Sequence, residues 1–197
     1  MSITITGLTK RYGGKTVLDN LSCTLPGGIM CLGGASGCGK TTLAMIIAGL
    51  LRPDSGSIGG VSGNVTVMFQ EPRLFPAFSA LDNVACVIKN GENEAKTLLL
   101  TLGLTDEDIK KKPSELSGGM NQRVSLARAA LFHKHSGGNT VILDEPFKGL
   151  DPASKSIAAE LVKTKLTAEN LLIITHDDSD ADLLGGIKID FTGLKQH

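Results

Sequence analysis

Gly34-Ala35-Ser36-Gly37-Cys38-Gly39-Lys40-Thr41-Thr42 is the stretch that decides the fold of this chain. It fits the pattern of a phosphate-binding loop, in which two glycines separated by four residues precede a lysine and a threonine. The glycines let successive backbone N–H groups turn inward around a phosphate chain, where a Cβ atom would obstruct them. An apolar strand candidate (29–32) precedes the stretch and an apolar helix candidate (42–48) follows it. This context favours a phosphate-binding loop over a glycine-rich turn with a chance lysine.

The polar groups of the loop have predicted roles. Lys40 is expected to reach the β- and γ-phosphates of a nucleotide, and Thr41 to offer its hydroxyl to Mg²⁺. The positive end of the following helix would face the phosphates.

The composition excludes several classes of protein. The chain has 197 residues, 41% of them hydrophobic, which is enough for one domain with a sizeable core. Its 20 basic and 20 acidic residues give no net charge, so nothing favours binding to nucleic acid or to an anionic membrane surface. The four cysteines are far apart, which argues against a disulfide framework or a zinc site and fits a reducing cytosol.

Neither the N-terminal residues nor the longest apolar run suggests a targeting or membrane-spanning segment. Residues 1–5 lack the basic start and apolar core of a signal peptide. The longest apolar run, residues 43–51, contains Gly49 and is too short to cross a bilayer. We expect a chain that does not cross a membrane.

The order of elements predicts an α/β fold. Strand candidates alternate with helix candidates, which indicates a mainly parallel sheet. Residues 10–14 are predicted to be a turn, and the periodicity changes in residues 71–116, where Asp82 is expected to cap a short helix. We predict a single domain, 1–197, with an α/β core (1–70 and 117–197) and an inserted helical subdomain (71–116).

Two carboxylates follow an apolar strand at Val141-Ile142-Leu143-Asp144-Glu145-Pro146. In proteins with a phosphate-binding loop, an Asp at the end of such a strand holds Mg²⁺. Asp144 has that position, and Glu145 is placed to polarise a water for in-line attack on the γ-phosphate. The alternative is a solvated acidic turn, which the upstream loop makes the weaker interpretation.

A serine and two glycines open another helix at Leu116-Ser117-Gly118-Gly119-Met120-Asn121-Gln122-Arg123. Ser117 is expected to be its N-cap, with two exposed amides beside it. Taken singly, an ordinary cap is the simpler interpretation, but a helix start with bare amides is also an anion site.

Taken together and in order, these motifs resemble the ATP-binding cassette subunit of ABC transporters. The order is phosphate loop, Gln70 after a strand, Leu-Ser-Gly-Gly at 116–119, Leu-Asp-Glu-Pro at 143–146, Gly-Leu-Asp at 149–151 and Thr-His-Asp at 175–177. The resemblance covers nearly the whole chain and implies a core of the P-loop NTPase type with a small antiparallel β edge. It also implies an ATPase that uses ATP and Mg²⁺.

The resemblance assigns roles residue by residue. Tyr12 matches the aromatic residue that stacks on adenine, and Gln70 the glutamine that touches Mg²⁺ and the attacking water. Asp144 matches the metal-holding acid and Glu145 the catalytic base.

His176 matches the histidine that holds the γ-phosphate, and Asp151 an aspartate of the dimer seam. Ser117, Gly118 and Gly119 match the signature that grips ATP bound to the opposite subunit. On their own, Tyr12 would be a surface aromatic and His176 a structural residue; their ordered spacing carries the assignment.

The sequence departs from the family pattern at four places. Met120 stands where Gln is most frequent, Ala35 where Pro is frequent, and Lys148 varies the approach to Asp151. Residues 56–64 are shorter than the usual hairpin and connection, so we expect a trimmed antiparallel edge, and no C-terminal regulatory domain is recognised.

Residues 70–76, with Asn83 and Val84, resemble the nitrate, sulfonate and taurine importer branch. The resemblance implies a homodimer on the cytoplasmic face of the membrane, a transmembrane permease and an extracytoplasmic solute-binding protein, with no nucleic acid. Phe69, Leu74, Phe75 and Phe78 either line a groove for the permease or belong to the core. The alternatives are a soluble cassette ATPase of translation or DNA repair, and a phosphate-loop kinase or a binding module without turnover.

Overall fold

The computed structural model describes residues 2–194, which form two compact units. The first contains residues 2–67, 138–144 and 168–194, and the second contains Met68–Gly137 and Glu145–Thr167. The predicted helical subdomain, 71–116, falls within the second unit, which also includes the segments after residue 116 and after Asp144. Its boundaries stay predictions.

Eight strands and seven helices make up the described chain. The strands are β1 (Ile3–Tyr12), β2 (Lys15–Leu25), β3 (Gly28–Gly33), β4 (Ser55–Gly59), β5 (Thr66–Met68), β6 (Thr140–Asp144), β7 (Asn170–Ile174) and β8 (Ile187–Asp190). The helices are α1 (Lys40–Ile47), α2 (Ala80–Ala85), α3 (Glu92–Thr101), α4 (Gly118–Ser136), α5 (Pro152–Lys165), α6 (Ser179–Leu184) and α7 (Phe191–Leu194). Two short 3₁₀ turns, Asp108–Lys110 and Pro113–Glu115, lie between α3 and α4.

The small antiparallel sheet has the order β2-β1-β4. The predicted turn over residues 10–14 is wrong for its first part, because β1 stays paired as far as Tyr12, opposite Lys15. Only Gly13 and Gly14 turn, with φ of 51° and 85°. The two consecutive charged residues Lys10 and Arg11 resemble a turn in the sequence, although both are paired within β1. β4, which the sequence did not predict, covers the other edge of β1.

The main sheet has the order β5-β6-β7-β3-β8, and β3 runs parallel to both β7 and β8. β6 and β7 are also parallel, and every residue of these two strands is buried. Parallel strands end at one edge of a sheet, and the register pairs Ile174 with both Leu32 and Asp144. The phosphate loop, Asp144 and the segment after β7 therefore start from the same edge.

Apolar side chains of the first unit anchor the loop at both ends. Leu32 on β3 and Leu43 on α1 are both 0% exposed and belong to the same core cluster as Leu18 and Phe191. Each fully buried side chain of this size stabilises the fold by about 1.5–3 kcal/mol. The loop thus connects two elements that the core holds in place.

The second unit is helical, and α4 is its longest element. Arg123 Nη1 donates to the carbonyl oxygen of Leu102 at 2.7 Å, and Arg128 Nη2 to that of Pro72 at 2.7 Å. The expectation that Asp82 caps α2 is wrong, because the N-cap is Ser79. The Ser79 Oγ accepts a hydrogen bond from the Asp82 amide, and the Asp82 carboxylate accepts one from the Ser79 amide, which is a capping box.

No helix within residues 2–194 combines the length and the hydrophobicity that crossing a bilayer requires.

Candidate functional site

The phosphate loop joins β3 to α1. Gly34, Gly37 and Gly39 have φ of 128°, 75° and 111°, a region that residues with a Cβ rarely adopt. A Cβ at Gly39 would lie 3.1 Å from the Val17 side chain, whereas one at Gly37 would meet no atom within 4 Å. The loop is therefore packed against β2 at its base and open at its tip, as a cradle for a ligand requires.

Lys40 holds its charge inside this loop. It is the first residue of α1 and is only 5% exposed. Its Nζ donates hydrogen bonds to the carbonyl oxygens of Gly34 at 2.6 Å and Ala35 at 3.0 Å, and lies 3.7 Å from Cys38 Sγ. The ammonium group is thus within the turn whose amides would surround a phosphate chain.

The start of α1 is electrostatically suited to an anion. Its N-cap, Gly39, has no side chain to cap the helix, and no acidic residue lies in the first turn. Ser36 lies at the exposed tip of the loop, and Thr42 is partly buried on the helix. The positive end of the helix dipole is therefore not offset by a side chain of α1.

Thr41 and Asp144 meet at the end of β6. Thr41 Oγ1 donates to Asp144 Oδ2 at 3.1 Å, and Asp144 is only 5% exposed. Hydroxyl and carboxylate oxygens are the ligands that Mg²⁺ prefers. No group of three or more His, Cys, Asp or Glu side chains within residues 2–194 is arranged to hold a metal ion. The structure thus holds one hydroxyl and one carboxylate oxygen donor together beside the phosphate loop.

Glu145 directly follows Asp144 and has an unusual backbone. Its φ is 51°, the left-handed region, which costs a residue other than glycine about 1–3 kcal/mol. Its carbonyl oxygen accepts a hydrogen bond of 2.7 Å from Gln122 Nε2. Such strain persists only where the surroundings fix it, and it is typical of functional positions.

The first unit also carries Tyr12 and His176. Tyr12 ends β1, is 48% exposed, and has Lys10 Nζ 5.7 Å from its ring centroid. His176 is exposed and follows the buried Thr175, whose Oγ1 accepts a hydrogen bond of 3.0 Å from the Asp177 amide and donates to Asp180. The aromatic face and the imidazole are thus both accessible.

The remaining predicted residues lie in the second unit around one open cavity of about 860 Å³. Its lining includes Gln70, Ser117, Gly118, Gly119 and Asp151. They come from three segments that are far apart in sequence, so their shared cavity is a product of the fold. Asn121, Gln122 and Arg123 also line it.

The N-terminal tip of α4 is exposed at Ser117 and Gly118. Ser117 is the N-cap, as predicted, and its Oγ accepts a hydrogen bond of 3.2 Å from the Met120 amide. A Cβ at Gly118 would meet no atom within 4 Å, whereas one at Gly119 would lie 3.0 Å from the Gly149 carbonyl oxygen. Gly119 thus permits close packing, and Gly118 leaves the tip open to an approaching molecule.

Asp151 is the N-cap of α5. One of its carboxylate oxygens accepts hydrogen bonds of 3.1 Å from the amides of Ala153 and Ser154. Hydrogen bonds from the Ser154 side chain and then from the backbone hold the pKa of the Asp151 carboxyl below its ordinary value. The carboxylate therefore stays ionised at neutral pH.

The aromatic residues after Gln70 divide into two groups. Phe75 and Phe78 are 51% and 42% exposed, with ring centroids 5.3 Å apart. Phe69 and Leu74 are partly buried, and the Arg73 guanidinium lies 3.9 Å from the Phe69 ring centroid. The exposed pair therefore does not belong to the core.

The structure thus groups the predicted residues in two sets. The phosphate loop, Tyr12, Asp144 and His176 belong to the first unit, and Gln70, Glu145, Asp151 and the α4 tip belong to the second. Sequence reasoning missed Gln122 and Asp180, which are 4% and 3% exposed. No local sequence pattern distinguishes these two residues, because Gln and Asp are common on exposed faces and only the fold reveals their burial.

Comparison with known proteins gives the same family. The family model described as "ABC transporter" matches residues 18–148. The aliphatic sulfonates import ATP-binding protein of Corynebacterium glutamicum is 40% identical over 188 residues, covering 90% of this chain and 75% of the relative. A protein of the same description from Rhodococcus jostii is 39% identical over 192 residues, covering 93% and 76%.

A solved dimeric structure of a bacterial ABC transporter cassette has the same fold. Its TM-score is 0.80 at 24% identity, with 95% of this chain and 94% of the other covered. The resemblance in the sequence motifs and the α/β architecture are both confirmed. The chain therefore belongs to the ABC transporter family, as an ATP-binding and ATP-hydrolysing subunit.

Proposed function

We propose that the chain is the motor of a membrane importer, in which ATP hydrolysis drives a solute through a separate transmembrane permease. The observation that best supports a hydrolytic site is the 3.1 Å contact between Thr41 Oγ1 and Asp144 Oδ2. It joins the phosphate loop to the residue that directly precedes Glu145.

The first unit binds the nucleotide. The open loop amides surround the phosphates, and Lys40 Nζ exchanges its carbonyl partners for β- and γ-phosphate oxygens, which are better acceptors because they are charged. Tyr12 stacks on the adenine through its exposed ring.

Thr41, Asp144 and Gln70 are the proposed protein ligands of Mg²⁺. Bound there, the ion would neutralise charge on the β- and γ-phosphate oxygens. The Thr41–Asp144 contact and the burial of Asp144 support this assignment, because they hold two hard oxygen donors together at the loop.

Hydrolysis uses Glu145 as the general base. Its carboxylate takes a proton from a water molecule as the water oxygen attacks the γ-phosphorus, and the bond to the β-phosphate oxygen breaks. Gln70 orients this water, and His176 holds the γ-phosphate by a hydrogen bond.

Two copies of the chain pair head to tail and enclose two ATP molecules. The α4 tip of one copy, Ser117 with Gly118 and Gly119, contacts the triphosphate held by the other copy's loop, and Asp151 lies at the seam. The exposure of the tip and the open space at Gly118 support this, because the tip can accept a group from outside its own chain.

The permease binds the helical subdomain at the exposed pair Phe75 and Phe78. The curated relatives are named for import of aliphatic sulfonates, so we propose a sulfonate as the solute, delivered by an extracytoplasmic solute-binding protein. The chain then works as a peripheral protein at the cytoplasmic face of the membrane.

A soluble cassette ATPase acting on nucleic acid is less well supported, because the net charge is zero.

Glu145→Gln tests the hydrolytic role. The amide cannot accept the proton, so ATP turnover should fall about 100-fold or more while ATP affinity is kept. Phosphate release and nucleotide binding measure the two effects, with Glu160→Gln on the exposed face of α5 as the matched control. Turnover that stays at the parent rate would remove Glu145 from the role of base.

A further inference from the structure

We propose that Gln122 is a positioning residue that fixes the backbone of Glu145 relative to the α4 tip. Gln122 is 4% exposed, and its Nε2 donates to the Glu145 carbonyl oxygen at 2.7 Å. The inference rests on the proposed role of Glu145 as base. Gln122 itself is assigned no contact with the reacting atoms.

The strained conformation of Glu145 is what makes such a contact necessary. At φ 51° its peptide backbone is not in a conformation that a glutamate prefers. A short hydrogen bond to the carbonyl of that same residue fixes the orientation of its peptide plane. Because the side chain projects from this backbone, the hydrogen bond also fixes the direction of the Cα–Cβ bond from which the carboxylate extends.

The donor belongs to the helix that begins with the tip. Gln122 is five residues after Ser117, the N-cap of α4. Two further hydrogen bonds fix the same helix: Arg123 donates to the Leu102 carbonyl oxygen, and Arg128 donates to the Pro72 carbonyl oxygen. A contact made at the tip is therefore transmitted along a fixed helix to the carbonyl of Glu145, so engagement of the tip and orientation of the base are coupled.

Gln122→Met tests the role, because methionine fills a similar volume but cannot donate the hydrogen bond. We expect kcat to fall about 10-fold and the affinity for ATP to change by less than about 2-fold, since an interaction that orients only the base is lost. The control is Ile109→Val, a small core change in the same unit, which should lower the melting temperature without this split between kcat and KM.

The Glu145→Gln background shows whether the two residues act as a unit. There, Gln122→Met should cause no further loss of the residual turnover, because no base remains to be oriented. An equal loss in both backgrounds, or parent-level kcat for Gln122→Met alone, would overturn the positioning role. If Glu145→Gln itself kept full turnover, the base assignment would fail first and the positioning role with it.

Discussion

The glycine-rich N-termini of α1 and α4 differ in backbone conformation and in capping. Before α1, Gly34, Gly37 and Gly39 all have positive φ, and no side chain caps the helix. Before α4, Ser117 caps the helix with its own hydroxyl, and Gly118 and Gly119 belong to the helix itself. The first start is a curved loop with a buried lysine inside it, whereas the second is a regular helix tip.

The difference indicates that the two helix N-termini contact a triphosphate in different ways. A loop that bends around an ammonium group can enclose a phosphate chain without help. A regular tip offers only a few amides pointing along the helix axis, and Ser117 already uses one of them. The α4 tip is therefore suited to complete a site whose main part lies on another copy of the chain.

Gly118→Glu should give the largest effect at the tip. A Cβ there meets nothing within 4 Å, and an acidic residue in the first turn of a helix is favourable, so the monomer should fold and bind ATP normally. The carboxylate would repel a triphosphate, so ATP turnover should fall at least 10-fold, which corresponds to about 1.4 kcal/mol. Phosphate release and equilibrium ATP binding on the same sample separate the two effects.

Ser114→Glu is the matched control for charge, because Ser114 is exposed four residues earlier in the chain. It should turn over ATP at the parent rate. Weak ATP binding by monomeric Gly118→Glu would mean that the tip acts on its own copy's nucleotide, against the proposed contact with the nucleotide of the other copy.

Ser117→Ala should give a smaller effect. Loss of the cap costs about 1 kcal/mol of the free energy of unfolding and removes one polar group from the tip. Ser79→Ala removes the cap of α2 at a similar cost, so thermal melting should shift comparably in both variants. Only Ser117→Ala should lower turnover; an equal loss in Ser79→Ala would show that Ser117 acts through stability alone.

The sequence predicted most of the main sheet, because buried parallel strands are continuous apolar runs. Val141-Ile142-Leu143 and Leu171-Leu172-Ile173 are all buried, and the phosphate loop lies between a strand and a helix as its pattern required. The Ser117 cap was also predictable, since capping depends on residues only three positions apart.

What the sequence did not reveal depends on contacts between distant segments. β4 has little apolar alternation and exists through its pairing with β1. The left-handed backbone of Glu145 and its hydrogen bond from Gln122 join residues 23 positions apart, for which no local pattern exists. The predicted roles of Tyr12, Gln70 and His176 came from the order of motifs, and they stay predictions.

Mixing two defective variants tests the shared site most directly. In the Glu145→Gln background, Lys40→Ala loses the loop but keeps the tip, and Gly118→Glu loses the tip but keeps the loop. Size-exclusion chromatography with Mg-ATP should show each variant alone as a monomer, the mixture as a dimer with one bound ATP, and the Glu145→Gln parent as a dimer with two. Dimers formed by either variant alone, or a mixture that stays monomeric, would contradict a triphosphate held between the loop of one copy and the tip of another.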